Sequence, residues 1–321
     1  MSEQYRHIVE RQLASLQYPS SPEELYDPIS YILGLGGKRI RPVICLMAAE
    51  LFGAEIESEE INSVAIALEI FHNFSLVHDD IMDEAPLRRG QETVHTKWNR
   101  DIAILSGDVM LVQAYDSILA SKNKNLEALL LQFNDSAKKV CEGQQFDMNF
   151  ENLSKVSIEE YIHMISLKTA ELIACSLKMG AIAANASASD ADLLYEFGLN
   201  LGLSFQIQDD YLDAFGETDK VGKQLGGDII ANKKTYLMLK TLELANEKQK
   251  ADLERSLNYN DEQKVISIIE IFEEVGIKEH TSDLIQEYYE KSIKSLDQVK
   301  VDDARKAGLK QLAAYLMQRD H

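Results

Sequence analysis

Residues 61–83, INSVAIALEIFHNFSLVHDDIMD, decide the class of fold. Steps of three and four from Ile61 through Ala65, Leu68, His72 and Ser75 reach Asp79, so one face is apolar for most of its length and turns polar at its end. That period is helical and predicts one long helix over 61–83. Asp79 and Asp83 continue the same face one turn apart, about 5.4 Å along the axis. Such a pair is either a solvated acidic helix end or two carboxylates aimed into the protein or a cavity.

The rest of the chain follows the same pattern. All five prolines lie at or before residue 86, and the long Ala-, Leu-, Ile-, Glu- and Lys-rich stretches beyond it lack the turn chemistry that sheets need. Further long helices are predicted over 157–180, opened by Ser157 and Glu160 in capping-box spacing and closed at Gly180, and over 190–213. A polar stretch at 245–264 reads as a surface connection before the last helices. The expected fold is therefore all-α, a single domain over 1–321 with a less defined helical portion from about 245.

Composition removes several functions. A net charge of -20 argues against nucleic acid, which requires an extended basic face. No run approaches the roughly 18 apolar residues of a membrane span, and the first residues, MSEQYRHIVERQL, have no apolar leader core. Cys45, Cys141 and Cys175 are widely spaced and odd in number, which suits reduced core thiols and a cytoplasmic protein. Any anionic substrate needs local cations.

A second acidic cluster changes the reading of the first. In LGLSFQIQDDYLDAFG (201–216), Asp209, Asp210 and Asp213 follow a stripe through Leu194, Gly198, Leu201 and Phe205. Two Asp-Asp-x-x-Asp clusters, each ending an apolar helix face, are poorly explained by solubility. Carboxylates gathered in a partly dry site need a cation. Aspartate oxygens without His or Cys favour Mg²⁺, and Mg²⁺ with few protein ligands generally completes its shell with phosphate oxygens. Cations lie close by in sequence: Lys168 on the apolar face of the 157–180 helix, GLGGKRIRP (34–42), Arg88-Arg89, and GKQLGGDIIANKKT with Lys223, Asp228, Lys233 and Lys234. Taken singly, Lys168 is equally a snorkelling surface lysine.

With GGKRIRP, DDIMD followed by RR, EGQQFD, LKTA, FQIQDDYLD and NKKT in this order, the sequence resembles the trans-isoprenyl diphosphate synthases. The resemblance covers most of the chain and weakens after about residue 240. It implies an all-α isoprenoid synthase bundle around a deep central cavity, a homodimer, and two aspartate motifs facing each other at the cavity mouth. It implies that Asp79, Asp83 and Asp209 ligate a cluster of Mg²⁺, three per active site, with Asp80 and Asp213 supporting. Arg88, Lys168 and Lys233 would grip the allylic diphosphate. Gly37, Lys38, Arg41, His72 and Arg89 would hold isopentenyl diphosphate, and Thr169 and Gln206 would face the carbocation. The implied reaction is ionisation, condensation and elimination, with catalysis concentrated on the departing diphosphate.

Chain length is read below Asp79. A side chain four or five residues back lies about 6–7.5 Å down the axis, roughly one prenyl unit. Phe74 or Phe71, with Ser75 between Phe74 and the motif, is the candidate floor, unless both rings simply pack between helices. An aromatic five residues before the first aspartate and a small residue four before it resemble the synthases that make geranylgeranyl diphosphate, with farnesyl diphosphate as the alternative. A terpene cyclase would not be expected to repeat the acidic motif. A ferritin-like bundle needs Glu-x-x-His pairs that do not align here. A regulatory subunit should show damaged motifs, and these are intact.

Overall fold

Helix caps and apolar faces account for the elements that position the motifs. The computed structural model describes residues 2–216 and 226–317. About 78% of the described residues are helical, and the expectation of an all-α protein holds. In chain order the helices are α1 (Ser2–Ala14), α2 (Glu23–Gly34), α3 (Ile40–Leu51), α4 (Glu59–Met82), α5 (Val94–Lys97), α6 (Arg100–Ala120), α7 (Leu126–Asn152) and α8 (Ile158–Ile165). After a π-helical turn (Ser166–Ala170) come α9 (Glu171–Ala183), α10 (Ala188–Phe215), α11 (Gly227–Ile230), α12 (Tyr236–Leu244), α13 (Glu247–Ser256), α14 (Asp261–Glu274), α15 (Ile277–Gln298) and α16 (Asp303–Met317).

The chain divides into two compact units, one of residues 1–137, 172–195 and 298–309, the other of residues 138–171, 196–297 and 310–321. In the first, α4 is the axial element. It starts at Ser58, whose hydroxyl accepts from the Ile61 amide, and packs against α1, α2, α3, α5 and α6. It is buried on almost every side, with Val64, Leu68 and Phe71 no more than 1% exposed. After it a two-stranded antiparallel hairpin joins β1 (Leu87–Arg88) to β2 (Gln91–Glu92). Its central residues Arg89 (φ 54°) and Gly90 (φ 73°) both take positive φ, as a type I′ turn requires.

In the second unit, Tyr161 and Ile165 of α8 pack with Leu203 and Ile207 of α10 and Tyr236 of α12. A separate cluster joins Ile229 of α11, Leu237 and Met238 of α12, Leu253 of α13 and Ile268 of α14. α8 carries the capping box read from Ser157 and Glu160.

Three sequence expectations are revised. The helix predicted over 157–180 changes to π winding at 166–170 and continues through Gly180, which packs on the Cys45 backbone, to Ala183. The 245–264 stretch is no simple connection: Asn246 and Gln249 form a second capping box that starts α13, and Leu253 buries one face of it. Finally, α6 is long and apolar enough to cross a membrane by length and composition, although no single run suggested it. Only a third of that apolar window is buried, and Leu105, Val112 and Leu119 are exposed at seven-residue intervals.

Candidate active site

In the first unit the site residues converge on α4 and the loop before α3. Asp79 sits in the last turn of α4, part-exposed, and Asp83 is its C-cap, its amide 2.9 Å from the Asp79 carbonyl. Asp80, the next residue, is 1% exposed. The hairpin brings Arg88 onto it: Nε donates to Oδ2 at 2.8 Å and Nη2 to Oδ1 at 2.7 Å, a bidentate pair. Arg88 Nη2 is also 3.8 Å from Asp79 Oδ2. Burial pushes the Asp80 carboxyl upward against the pull of Arg88, and the three motif aspartates, Asp80 first, raise the Arg88 guanidinium despite its burial. The two adjacent aspartates thus differ in contact: Asp80 grips Arg88 through both oxygens, whereas Asp79 stands part-buried at the edge of the same guanidinium.

The I′ turn directs Arg89 to the glycine loop. Arg89 Nη1 donates to the Gly36 carbonyl, and its guanidinium lies where a side chain on residue 37 would be, 2.7 Å from the Cβ position. Gly37, at φ 140°, is needed there. Arg41 Nη1 is 3.1 Å from His72 Nε2. Because arginine can only donate, Nε2 is the acceptor and the imidazole is neutral with its proton on Nδ1. Desolvation, then Arg41, Arg89, Arg88 and Arg39, hold the His72 pKa well below the usual imidazole value. Desolvation lowers the Arg41 pKa to about 10, and its Nε is buried without a hydrogen-bond partner. Lys38 lies in the same loop. Sequence reasoning missed the group beneath this nest: Glu69 accepts from Arg39 Nη1 at 2.6 Å and from Asn73 Nδ2 at 3.1 Å, with both ion-pair side chains under 5% exposed. Arg39 is thereby a buried structural residue. Glu69 lies ten residues before Asp79 on an otherwise apolar stretch, and that was the available signal.

Phe71 stacks edge-to-face on Phe133 at 5.1 Å, and Phe74 lies 5.4 Å from Phe71 and 4.8 Å from the His78 ring. Ser75 returns its hydroxyl to the His72 carbonyl at 2.8 Å. Both phenylalanines belong to one aromatic cluster, Phe71 1% and Phe74 9% exposed.

In the second unit the π turn carries Lys168 and Thr169, and π turns recur at functional sites. Lys168 Nζ donates to Asp147 Oδ2 at 2.5 Å. Gly143, four residues before Asp147, lets α7 reach this turn: a Cβ there would fall on the Lys168 amide nitrogen and 2.7 Å from the Leu167 carbonyl carbon. EGQQFD therefore works as a packing glycine plus a partner for Lys168, and Asp147 is a residue that sequence reasoning left out. On α10, Asp209 is part-exposed, and Asp210 is 6% exposed. Asp210 Oδ2 accepts from the Tyr161 hydroxyl and Oδ1 from Gln206 Nε2 at 2.9 Å. Desolvation, then Asp228, raise the Asp210 pKa to about 7, against the pull of those two donors. Asp213 Oδ2 accepts from the Asp228 amide at 2.9 Å and holds the backbone of α11. Lys233 Nζ is 3.3 Å from Asp228 Oδ1, whereas Lys234 turns to the Phe150 carbonyl. Lys223 lies outside the described residues.

The candidate metal donors are carboxylate oxygens with no thiolate or imidazole among them, a set suited to a hard ion such as Mg²⁺. Among the described residues no three His, Cys, Asp or Glu side chains form a ready-made cage.

Residues 22–275 match the Polyprenyl synthetase family. The chain is 38% identical to a short chain isoprenyl diphosphate synthase of Methanothermobacter thermautotrophicus, over 94% of this chain and 92% of that one. It is 39% identical to a geranylgeranyl diphosphate synthase of Saccharolobus solfataricus, over 90% and 88%. A crystal structure of a geranylgeranyl pyrophosphate synthase superposes with a TM-score of 0.94 at 42% identity, covering 99% of both chains. With the aspartate motifs, the glycine-arginine nest and the π turn in the family's order, this chain belongs to the polyprenyl synthetase family and has its all-α isoprenoid synthase fold.

Proposed function

We propose that this chain is a prenyltransferase that condenses isopentenyl diphosphate head-to-tail with an allylic diphosphate, ending at geranylgeranyl diphosphate. The observation that carries the reading is the cationic nest of the first unit. Arg41 and Arg89, with Arg39 and Arg88 close enough to depress the same imidazole, gather around neutral His72 beside Gly36 and Gly37. In a chain of net charge -20, that concentration of guanidinium groups suits a diphosphate. The names of the relatives support the reaction. Phe74 and Ser75 support the twenty-carbon length, with farnesyl diphosphate as the shorter alternative, while relatives named geranylfarnesyl diphosphate synthase make a longer product the third length to separate. Likeness along the whole chain supports treating 1–321 as one isoprenoid synthase domain. Intact aspartate motifs weigh against a non-catalytic regulatory subunit.

In this reading Asp79, Asp83 and Asp209 hold a cluster of three Mg²⁺ ions, which when bound neutralises charge on the departing diphosphate. Asp80 supports the motif by fixing Arg88, and Asp213 does so by fixing the backbone before Asp228. Arg88, Lys168 and Lys233 take the allylic diphosphate; Lys38, Arg41, His72 and Arg89, with the Gly37 backbone, take isopentenyl diphosphate. The oxygens of Thr169 and Gln206 face the allylic cation. The test is Asp79→Ala and Asp209→Ala: each should lower turnover by orders of magnitude at unchanged helicity, and near-normal turnover in either would remove that residue from the metal set.

The exposed stripe of Leu105, Val112 and Leu119 on α6, with Leu131 of α7 also exposed, supports a homodimer that covers it. The odd number and wide spacing of Cys45, Cys141 and Cys175 support a cytoplasmic location.

A further inference from the structure

We propose that Asp210 and Tyr161 are positioning residues whose task is to fix which end of the Gln206 amide faces the reacting allyl group. A glutamine amide has two ends of nearly the same shape and opposite chemistry, an accepting oxygen and a donating NH₂. Rotation by half a turn exchanges them at little steric cost. Next to a carbon that becomes cationic the oxygen stabilises and the NH₂ group repels, so the direction of this amide matters to the rate.

Its direction is set by Asp210. Gln206 lies one helical turn before Asp210 on α10, and its Nε2 donates to Asp210 Oδ1 at 2.9 Å. Both Asp210 oxygens are engaged as acceptors, Oδ2 by the Tyr161 hydroxyl and Oδ1 by Gln206 Nε2, so the NH₂ end of the amide faces the acid and Oε1 is turned away. The other carboxylate oxygen is occupied by the Tyr161 hydroxyl, so the acid cannot swing from Gln206 without losing a buried partner. Tyr161 is itself immobile. It is 2% exposed, packs with Phe150, Ile165 and Ile207, and sits in the first turn of α8 behind the Ser157–Glu160 capping box. An asparagine at position 210 would fill the same volume but could donate to Gln206 and hold the amide reversed.

This inference rests on the reading above in which Gln206 borders the allylic carbon. The experiment measures steady-state kcat and the KM for each diphosphate in Gln206→Leu, Asp210→Asn, Tyr161→Phe and the charge-conserving double variant Asp210→Asn/Gln206→Glu. A glutamate at 206 presents oxygen at both ends, so its orientation no longer matters, and the asparagine amide introduced at 210 supplies the donor it needs. Asp210→Asn should lower kcat by about 10- to 100-fold with both KM values within about twofold. Tyr161→Phe should lower kcat less, and the double variant should recover most of the loss. Helicity should be unchanged throughout. A double variant no better than Asp210→Asn, or an Asp210→Asn enzyme of normal kcat, overturns the proposal while the impaired Gln206→Leu enzyme leaves the functional reading standing. Full activity in Gln206→Leu overturns both.

Discussion

Replacing Glu69 by glutamine removes the counter-ion beneath the arginine nest and should destabilise the protein strongly. Glu69 and Arg39 form an ion pair at 2.6 Å with side chains 2% and 4% exposed, so water cannot take over the role of the lost carboxylate. Breaking a buried pair from one side costs about 3–5 kcal/mol, because the remaining charge is left uncompensated. Cooperative unfolding of 321 residues, at about 2.1 cal/mol/K each, has an entropy near 0.7 kcal/mol/K, which converts that cost to a fall in Tm of about 4–7 °C. Calorimetry with far-ultraviolet circular dichroism measures it. The companion variant Arg39→Leu/Glu69→Leu removes both charges and should be less damaging than Glu69→Gln alone. A shift below about 1 °C, or a double variant as damaged as the single one, would refute the assignment of Glu69 as the counter-ion that lets the nest assemble.

The neutral His72 makes stability depend on pH. Its folded pKa is depressed, so below the unfolded value of 6.5 the unfolded chain binds a proton that the native imidazole refuses. Stability is therefore lost as pH falls below 6.5, with a slope of at most about 1.4 kcal/mol per pH unit, and His72→Gln should flatten that part of the profile; an unchanged slope would locate the proton elsewhere. Phe74→Ala should lengthen the product, read by mass spectrometry, at a stability cost of about 3–5 kcal/mol for the emptied ring site. An unchanged length would move the floor to Phe71 or another helix. Val112→Glu places a charge in the exposed α6 stripe and should shift light scattering from dimer to monomer; a persistent dimer would place the interface elsewhere.

Periodicity made the long helices legible. The 61–83 prediction and α4 (Glu59–Met82) differ by two residues at one end and one at the other, and the predicted 190–213 helix lies within α10. The positions of Asp79 and Asp83 followed from the same stripe. What escaped was tertiary in origin. Adjacent aspartates look alike in sequence, yet the hairpin delivers Arg88 as a bidentate partner to Asp80 and leaves it 3.8 Å from Asp79. The hairpin itself is four paired residues around Arg89-Gly90, too short for an alternation signal, although the glycine marks its turn. The π turn at Lys168 has the composition of ordinary helix, and the close approach of α7 at Gly143 distinguishes it. Glu69 and Asp147 were passed over because each finds its partner, Arg39 or Lys168, on another helix or loop.

The central claim is that the two acidic motifs serve a Mg²⁺-dependent condensation of diphosphates. It is tested most directly by incubating the purified protein with isopentenyl diphosphate and each allylic primer, with Mg²⁺ or with EDTA, and reading the product by mass spectrometry. The account predicts a twenty-carbon diphosphate with Mg²⁺ and none with EDTA. No product from any primer, or a yield indifferent to EDTA, would contradict it.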